Sequence, residues 1–289
     1  MKHRKRKKLV LVLAIGILIC VAGGIIGIFR FFPDSVYDFT QMTQNRQKIE
    51  LKEVSPSTRS FPLSQIETAM QDSPSCLSLI DQDHPVPSGD VKLAPFRDTD
   101  LLLRQEVIPS LENLLSASKE QANEKLLIMS SYRTREEQQK LFEDDPETAN
   151  QPGESEHESG LALDLYVYQY AGKNFIKTET GRWVNEHCQD YGFIIRYPFG
   201  KKSVTSFSYE PWHIRYVGLP HAKIIYQNHW TLEEYLENLT PEKFYSYENH
   251  LISRQQAKDG TLKLPENCTE YSVSPDNTGC YVVTAHLTE

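Results

Sequence analysis

The stretch "SEHESGLALDLYV", residues 155–167, constrains the fold most strongly, because its apolar and polar letters alternate with the period of a β-strand. Side chains of a strand point alternately to its two faces. Asp164 lies on one face, and Ala162 leaves room beside it. Gly160 permits a tight bend before the strand, so we expect His157 to return alongside Asp164. The other face carries only apolar residues and is predicted to pack in the core: Leu161, Leu163, Leu165 and Val167.

A second stretch, "YEPWHIRY", supplies another imidazole, His213, with Glu210 three residues before it. Taken alone, the spacing of His157 and Asp164, or that of Glu210 and His213, more often belongs to ordinary polar residues on the surface. The occurrence of both in one chain favours one shared metal site. Two imidazoles and one carboxylate can bind zinc and leave one coordination position for water. Zinc lowers the pKa of such a water to ~7, and Glu210 is placed to accept its proton. The helical HExxH motif is absent from the first stretch, because Leu161 occupies the position of its second histidine.

Three motifs, "SEHESGLALD", "EPWH" and "SSYRTREEQQKLF", occur in this order along the chain. Together they resemble the motifs of the zinc D,D-carboxypeptidases and dipeptidases of the VanY and VanX type. The first is similar to their SxHxxGxAxD signature, the second to their ExxH element, and the third to S-G-Y-R-S followed by a glutamine. The resemblance is closest to VanY-type D-alanyl-D-alanine carboxypeptidases and covers roughly residues 75–240. Ser131 departs from it, because many members have glycine there.

The resemblance implies a role for each matching position. Three residues would bind Zn²⁺: His157, Asp164 and His213. Glu210 would activate the attacking water and later protonate the leaving amine. Arg133 would stabilise the oxyanion, and a fixed cation where negative charge develops also lowers a barrier on general grounds. A surface salt bridge is the alternative role for Arg133.

Three further residues are candidates for contact with a substrate. Gln138 and Ser155 resemble positions that touch the peptide or its terminal carboxylate, and local hydrogen bonding is the alternative for both. Trp212 is expected to form a wall of the pocket or to pack in the core.

The N-terminal region is of a different kind. Residues 1–8 are basic, and residues 9–29 contain no charged side chain. A helix of that length spans ~30 Å, the thickness of the hydrocarbon core of a bilayer. The apolar core of a signal peptide is shorter, at ~7–15 residues. Residues 9–31 are therefore predicted to be a transmembrane anchor, with the basic N-terminus in the cytoplasm and the remainder outside the cell.

Charge and cysteine content bear on the partners and the compartment. The net charge is −8, and residues 1–30 carry seven Lys or Arg and no acid, so the remainder carries −15. An acidic domain of this kind argues against nucleic acid as a partner. An oxidising exterior permits disulfides. Cys268 and Cys280 flank a predicted hairpin and are candidates for one, while Cys76 and Cys188 are a second pair or two buried thiols.

The chain beyond the anchor is predicted to be α+β, with a small mixed or antiparallel sheet flanked by helices that holds the zinc site. Residues 32–72 are predicted to be a juxtamembrane spacer, residues 73–240 the catalytic domain, and residues 241–289 a small C-terminal β appendage.

Local patterns predict several elements of the catalytic domain. Apolar spacing favours a helix over residues 101–115, an apolar run favours a strand over residues 126–130, and a helix is expected from Thr134. Residues 204–217 are interpreted as two strands broken at Glu210, and residues from Ser75 onward as a strand that ends in a proline turn.

The resemblance to the VanY type, together with the predicted anchor, implies a membrane-anchored extracellular zinc D,D-carboxypeptidase. It would remove the C-terminal D-Ala from peptidoglycan pentapeptide stems and so contribute to vancomycin resistance or wall remodelling. An L,D-carboxypeptidase acting on tetrapeptide stems and a D-Ala-D-Ala dipeptidase are alternatives, because pocket loops rather than catalytic residues set substrate length. A non-catalytic cell-wall-binding module is a further alternative. Glu210 argues against it, since binding alone requires no base.

Overall fold

The computed structural model describes residues 33–65, 76–89, 91–147 and 149–287. The chain divides into two compact units, Met1–Asn45 and Arg46–Glu289. The described residues of the first unit form helix α1, Pro33–Thr43. The predicted transmembrane anchor, residues 9–31, lies outside the described residues. Among the residues that are described, we find no helix with the length and apolar character needed to cross a bilayer.

The second unit contains helices and strands in mixed order. Its helices are α2 (Ile108–Gln121), α3 (Arg135–Asp144), α4 (Glu179–His187), α5 (Lys202–Thr205), α6 (His221–Asn228) and α7 (Leu232–Asn238). Its strands are β1 (Lys52–Val54), β2 (Thr58–Pro62), β3 (Leu93–Pro95), β4 (Leu102–Arg104), β5 (Leu126–Ser130), β6 (Ala162–Val167), β7 (Phe193–Ile195), β8 (His213–Tyr216), β9 (Phe244–Tyr247), β10 (His250–Gln255), β11 (Thr261–Pro265), β12 (Cys268–Pro275) and β13 (Tyr281–Leu287).

The part of the chain predicted to be catalytic, called the catalytic part below, is built on a four-stranded antiparallel sheet with the order β5-β6-β8-β7. The alternation predicted for β6 is confirmed, because Leu163, Leu165 and Val167 are buried while Asp164 is partly exposed. The buried face of β6 packs with residues of α2 and α4 in one core cluster. An antiparallel sheet with helices on one face agrees with the predicted α+β class.

The helix after β5 begins where the sequence predicted. Thr134 caps α3, since its hydroxyl accepts a hydrogen bond from the Glu137 N–H and its own N–H donates to the Glu137 carboxylate, at 3.1 and 2.8 Å. This reciprocal pair satisfies two of the N–H groups that a helix start leaves unpaired. The same cap holds the preceding residue, Arg133, at a fixed junction between strand and helix.

The helix predicted over residues 101–115 is wrong in its first half. Residues 102–104 form strand β4 instead, which pairs with β3. The helix α2 begins only at Ile108, next to a proline in its first turn, and extends to Gln121. Proline favours the first turn because its missing N–H has no helical partner there. The apolar spacing continued through both elements and hid the change from strand to helix.

Two predicted strands are also wrong. Of residues 204–217, only those of β8 form a strand, and the segment before it contains the short helix α5. The segment after Ser75 is buried from Cys76 to Ile80 but forms no strand. It is held by hydrogen bonds instead, from Leu77 N to Ser274 Oγ and from Leu79 N to the Asp276 carbonyl, both at 3.0 Å.

The C-terminal residues form the predicted β structure, but they do not form it alone. The five-stranded sheet has the order β1-β9-β10-β13-β12, and β11 pairs with β2. Strands β1 and β2 belong to residues 52–62, within the segment predicted to be a spacer. One hydrophobic cluster contains residues of the C-terminal sheet, such as Ile252 and Val282, together with Leu232 and Leu236 of α7. This sheet therefore shares a core with the catalytic part.

The four cysteines of the described residues are not paired. Within the described residues Cys76, Cys188, Cys268 and Cys280 are free, so the suggested link between the last two is not formed. Burial raises the pKa of the Cys188 thiol to about 12 and that of Cys76 to about 11. Thiols with raised pKa values are poor nucleophiles and metal ligands, which fits a packing role for both.

Candidate metal centre and active site

A row of side chains across three strands sets the position of the site. Ser130 in β5 is the register partner of Asp164 in β6. Asp164 is in turn the partner of His213 in β8. Directly opposed residues of antiparallel strands lie on the same face, with Cβ atoms ~5 Å apart. Sheet pairing thus brings together two predicted ligands that are 49 residues apart in sequence.

His157 reaches this row from the turn before β6. Residues 156–159 form a single 3₁₀ turn that ends at Gly160, which has φ of 71°. A Cβ at this position would lie 3.0 Å from Leu93 Cδ2 and 3.2 Å from the backbone N of Arg104. Both the left-handed φ and the close approach therefore require glycine. The bend predicted from Gly160 is confirmed.

The three predicted ligands converge on one point. His157 Nε2 lies 3.3 Å from Asp164 Oδ2, and His213 Nδ1 lies 3.0 Å from Asp164 Oδ1. One donor atom from each residue lies within 4.8 Å of the other two. None of the three side chains is more than 14% exposed. Two imidazoles and a carboxylate form a ligand set that suits zinc.

The remaining nitrogen of each imidazole is hydrogen-bonded away from this point. His157 Nδ1 lies 2.8 Å from the Ser131 carbonyl, so its N–H donates there and Nε2 keeps its lone pair. His213 Nε2 lies 3.3 Å from Glu156 Oε2 and donates to that carboxylate, which leaves the Nδ1 lone pair for a metal. Metal-binding histidines typically have this arrangement. The residues of the site therefore fit Zn²⁺.

The charges of the three ligands depend on one another. Burial raises the pKa of Asp164, but the facing imidazoles of His157 and His213 outweigh it and hold that pKa well below its usual range. Burial lowers the pKa of His213, whereas hydrogen bonds to Asp164 and Glu156 raise it, to about 10 overall. A metal that binds these lone pairs must therefore displace a proton.

A buried ionic cluster, which the sequence reasoning missed, lies behind His213. Glu156 Oε1 accepts hydrogen bonds from Arg196 Nε at 2.7 Å and from Arg215 Nη1 at 2.6 Å. Arg196 also forms a two-pronged contact with the Glu233 carboxylate, at 3.0 and 2.8 Å. The side chain of Glu156 is 0% exposed. Burial raises the pKa of Glu156, but Arg215 and Arg196 more than offset this and hold it far below its usual range.

Arg215 joins this cluster to the rest of the fold. Its Nη2 donates to the carbonyl groups of Cys76 and Ser78, at 3.1 and 2.8 Å, and its Nε donates to that of Tyr216. One sequence signal pointed to it, because Arg215 stands two residues after His213 in β8 and therefore on the same side of the strand. Glu156 adjoins His157, but nothing in the sequence marked it as buried.

Glu210 lines the same pocket as the three ligands. Its backbone is fixed, since its N–H donates to the Tyr197 carbonyl at 3.0 Å and its carbonyl accepts from His213 N at 3.2 Å. Within the part of the chain that the structure describes, no hydrogen bond or ion pair engages its carboxylate. Burial raises the pKa of Glu210, and the nearby carboxylates act in the same direction while His213 lowers it. A carboxylate in this position can exchange a proton with a bound molecule.

Arg133 lies at the junction of β5 and α3 and lines the same pocket. Its Nη1 donates to Gln138 Oε1 at 2.6 Å, and its Nη2 donates to Ser130 Oγ at 3.0 Å. Among the described residues it forms no ion pair, so the predicted alternative of a surface salt bridge is not observed. Gln138 is 1% exposed, and its amide nitrogen donates to the Asn150 carbonyl at 2.7 Å.

The other two candidate residues also lie at the pocket, which has a volume of about 160 Å³. Ser155 is buried beside the ligands, and its carbonyl accepts a hydrogen bond from Glu158 N at 3.0 Å. Trp212 is half-buried, lines the pocket and packs against the core cluster of the catalytic sheet. Both of its predicted roles are therefore compatible with its position.

A buried His-Asp-His set lies around one pocket with a guanidinium and with a carboxylate that no described residue pairs, and this combination defines a mononuclear metal site of the hydrolase class. Comparison with known proteins agrees. Residues 100–219 match the family described as VanY, D-alanyl-D-alanine carboxypeptidase. The bifunctional D-Ala-D-Ala dipeptidase and D-Ala-D-Ala carboxypeptidase VanXYC of Enterococcus gallinarum is 36% identical over 181 residues, which are 56% of this chain and 94% of that protein. The chain belongs to the VanY family.

A D-alanyl-D-alanine carboxypeptidase of Enterococcus faecium is 34% identical over 196 residues, or 65% of this chain. The match spans 62% of the length of that relative.

Three solved structures are similar in fold. The vancomycin-resistance D,D-dipeptidase VanXYg, in complex with a D-Ala-D-Ala phosphinate analog, has a TM-score of 0.65 at 28% identity and covers 81% of this chain and all of its own. The D,D-pentapeptidase VanY of a VanB-type resistance cassette, in complex with Zn(II), has a TM-score of 0.51 at 31% identity and covers 56% of this chain and 99% of its own. The LdcB LD-carboxypeptidase has a TM-score of 0.52 at 32% identity, covering 56% of this chain and 86% of its own.

Proposed function

We propose that this protein is a zinc D,D-carboxypeptidase that removes the C-terminal D-Ala from peptidoglycan stem peptides ending in D-Ala-D-Ala. The observation that carries the proposal is the convergence of His157, Asp164 and His213 in the pocket that the carboxylate of Glu210 also lines. The names of the relatives and of the zinc-containing neighbour support the same substrate class and the same metal.

The residues of the pocket would have different roles in hydrolysis. His157, Asp164 and His213 would hold Zn²⁺, which supplies a Lewis acid and lowers the pKa of water. Glu210 accepts the proton of the attacking water and returns it to the amine of the departing D-Ala, so it ends each cycle in its starting state. Arg133 faces the pocket with a guanidinium fixed by Gln138 and Ser130, and it stabilises the negative charge that develops on the scissile carbonyl oxygen.

We also propose that the enzyme acts outside the cell, held by the apolar residues 9–31 as a single-pass anchor. Its substrate would then be the stem peptide of the wall or its lipid-linked precursor. Removal of D-Ala-D-Ala ends would remove the structure that vancomycin binds and so contribute to resistance. Accessibility to an external protease in intact cells tests this orientation, and protection of residues 46–289 would contradict it.

A substrate panel tests the activity. The full-length chain, purified in detergent with Zn²⁺, is expected to release D-Ala from a muramyl pentapeptide and to lose this activity with a chelator. The Glu237→Gln variant, which changes an exposed helical carboxylate, serves as a control that should remain active. If the zinc-loaded protein hydrolyses none of the stem peptides, the proposal is wrong and a wall-binding role is the better account.

The same panel also tests two related activities, each of which is named for a similar protein. VanXYC and VanXYg are named as dipeptidases, and LdcB as an LD-carboxypeptidase. Faster hydrolysis of free D-Ala-D-Ala than of the pentapeptide would assign a dipeptidase. Preference for the tetrapeptide would assign an L,D-carboxypeptidase.

A further inference from the structure

The two oxygens of the Glu156 carboxylate have different hydrogen-bond partners. Oε2 accepts the hydrogen bond from His213 Nε2 at 3.3 Å. Oε1 accepts from Arg196 and Arg215 at 2.7 and 2.6 Å. The side chain is 0% exposed, so water does not compete for either oxygen. One buried group therefore connects a metal ligand to two guanidinium groups.

Each of the two guanidinium groups also has hydrogen-bond partners other than Glu156. Arg196 is fixed by the two oxygens of Glu233 in α7, and Arg215 by the carbonyl groups of Cys76 and Ser78. Both arginines are at most 1% exposed. Charge-assisted hydrogen bonds of this kind set direction as well as energy. The orientation of the Glu156 carboxylate is thus determined by three separate parts of the chain.

A carboxylate fixed in this way determines the orientation of the His213 ring. It accepts from Nε2, so Nδ1 is the nitrogen that faces Asp164 and His157 and can bind a metal. We infer that Glu156 is a positioning residue for the metal ligand His213, and that Arg196 and Arg215 hold it in place. Glu156 acts on the metal through His213 and does not bind the substrate. The inference rests on the proposed function only in taking these three residues as the metal site.

A purely structural role for the cluster makes a different prediction. Buried ion pairs often contribute little net stability, but removal of one partner leaves an uncompensated charge and destabilises the fold. A structural cluster would therefore change the unfolding transition and leave the metal affinity of the folded protein unaltered. A positioning role changes the metal affinity in protein that remains folded.

The test measures Zn²⁺ affinity in the full-length chain by competition with a chromophoric chelator, without any peptide substrate. Glu156→Gln keeps the size of the side chain but places an amide N–H₂ against His213 or the arginines. We expect it to bind Zn²⁺ about 10–100-fold more weakly. The visible absorption of the Co²⁺-loaded variant should also change, because the spectrum reports the geometry of the ligands.

A matched control comes from the C-terminal sheet. Asp276 is also a fully buried carboxylate paired with an arginine, Arg254, at 2.6 Å, but it contacts no metal ligand. Asp276→Asn should lower the unfolding temperature and leave Zn²⁺ affinity and the Co²⁺ spectrum unchanged. Arg196→Lys is a second variant at the site that keeps the charge, and it should weaken Zn²⁺ binding less than Glu156→Gln does.

The possible results separate this inference from the proposed function. Wild-type affinity in both Glu156→Gln and Arg196→Lys would overturn the positioning role, whatever the peptidase activity. Weakened Zn²⁺ binding in these variants, together with no hydrolysis by the zinc-loaded wild type, would uphold the positioning role and refute the peptidase. If Glu156→Gln does not fold, the result for folded Arg196→Lys decides.

Discussion

The metal ligands and the guanidinium of the pocket are held in different ways. The three ligands, His157, Asp164 and His213, stand mostly on paired strands and are supported by the buried ionic cluster of Glu156. Arg133 lies between a strand and a helix, and its guanidinium is fixed by a neutral amide and a hydroxyl. Hydrogen bonds hold both groups, but only the ligands rest against a buried network of charges.

No described residue binds the carboxylate of Glu210, so neither the buried ionic cluster nor the contacts of Arg133 hold it. Its loss should have the largest effect on activity. Glu210→Gln keeps the shape of the side chain but cannot accept a proton. We expect kcat to fall by ~10²–10⁴-fold, the usual contribution of a general base, with Zn²⁺ content unchanged. Steady-state kinetics with metal analysis on the same samples measures both. A fully active Glu210→Gln variant would remove Glu210 from the mechanism.

Loss of the Arg133 guanidinium should come next. Arg133→Ala is expected to lower kcat/KM by ~10²–10³-fold, as for removal of one oxyanion-stabilising group, and to leave Zn²⁺ affinity intact. Arg135→Ala is the matched control, since that side chain is 62% exposed and pairs with Glu158. Equal effects of the two changes on kcat/KM would show that Arg133 has no special role.

The pH dependence of activity distinguishes Glu210 from a carboxyl group with an unperturbed pKa. Because burial raises the pKa of Glu210, this base becomes protonated at a higher pH than an exposed glutamate does. Activity should therefore fall as the pH decreases through that raised pKa, by about tenfold per pH unit below it. A profile of kcat/KM with saturating Zn²⁺ measures this limb. A limb near ~4.3, the value of an unperturbed glutamate, would contradict the assignment.

The smallest effect should come from Gln138, which holds Arg133 through one hydrogen bond. Gln138→Leu removes that bond, worth ~1.5 kcal/mol because its donor is charged, and is expected to lower kcat/KM by roughly tenfold. Gln139→Leu, on the exposed side of the same helix, is the control and should have no effect. Direct substrate binding by Gln138 predicts a rise in KM at constant kcat instead, which the same kinetics would reveal.

Sequence patterns predicted the parts of the site that depend on local periodicity. The alternation around Asp164, the bend at Gly160 and the helix start near Thr134 are each set by neighbouring residues, and all three agree with the structure. The helix predicted over residues 101–115 was wrong only in its first half. Leu103, Val107 and Leu111 are all buried, and their spacing of four residues suits one face of a helix as well as one face of a strand. Local pattern does not show where a strand ends and a helix begins in such a run.

Long-range features were not predictable in the same way. Strands β1 and β2 are short and polar, and they exist because β9 and β11 pair with them from nearly 200 residues away. The ionic cluster joins Glu156, Arg196 and Arg215 across 40 and 59 residues. Each of these charged residues, taken alone, is typical of an exposed surface. Their burial is compensated only by the opposite charges that the fold places beside them.

The identity of the metal ligands is the central claim, and X-ray absorption at the zinc edge tests it most directly. The full-length protein loaded with Zn²⁺ should bind one ion per chain, with two imidazole nitrogens, carboxylate oxygen and no sulfur around it. Asp164→Asn should weaken that binding and alter the spectrum. Sulfur ligands, or an unchanged spectrum in Asp164→Asn, would contradict the site formed by His157, Asp164 and His213.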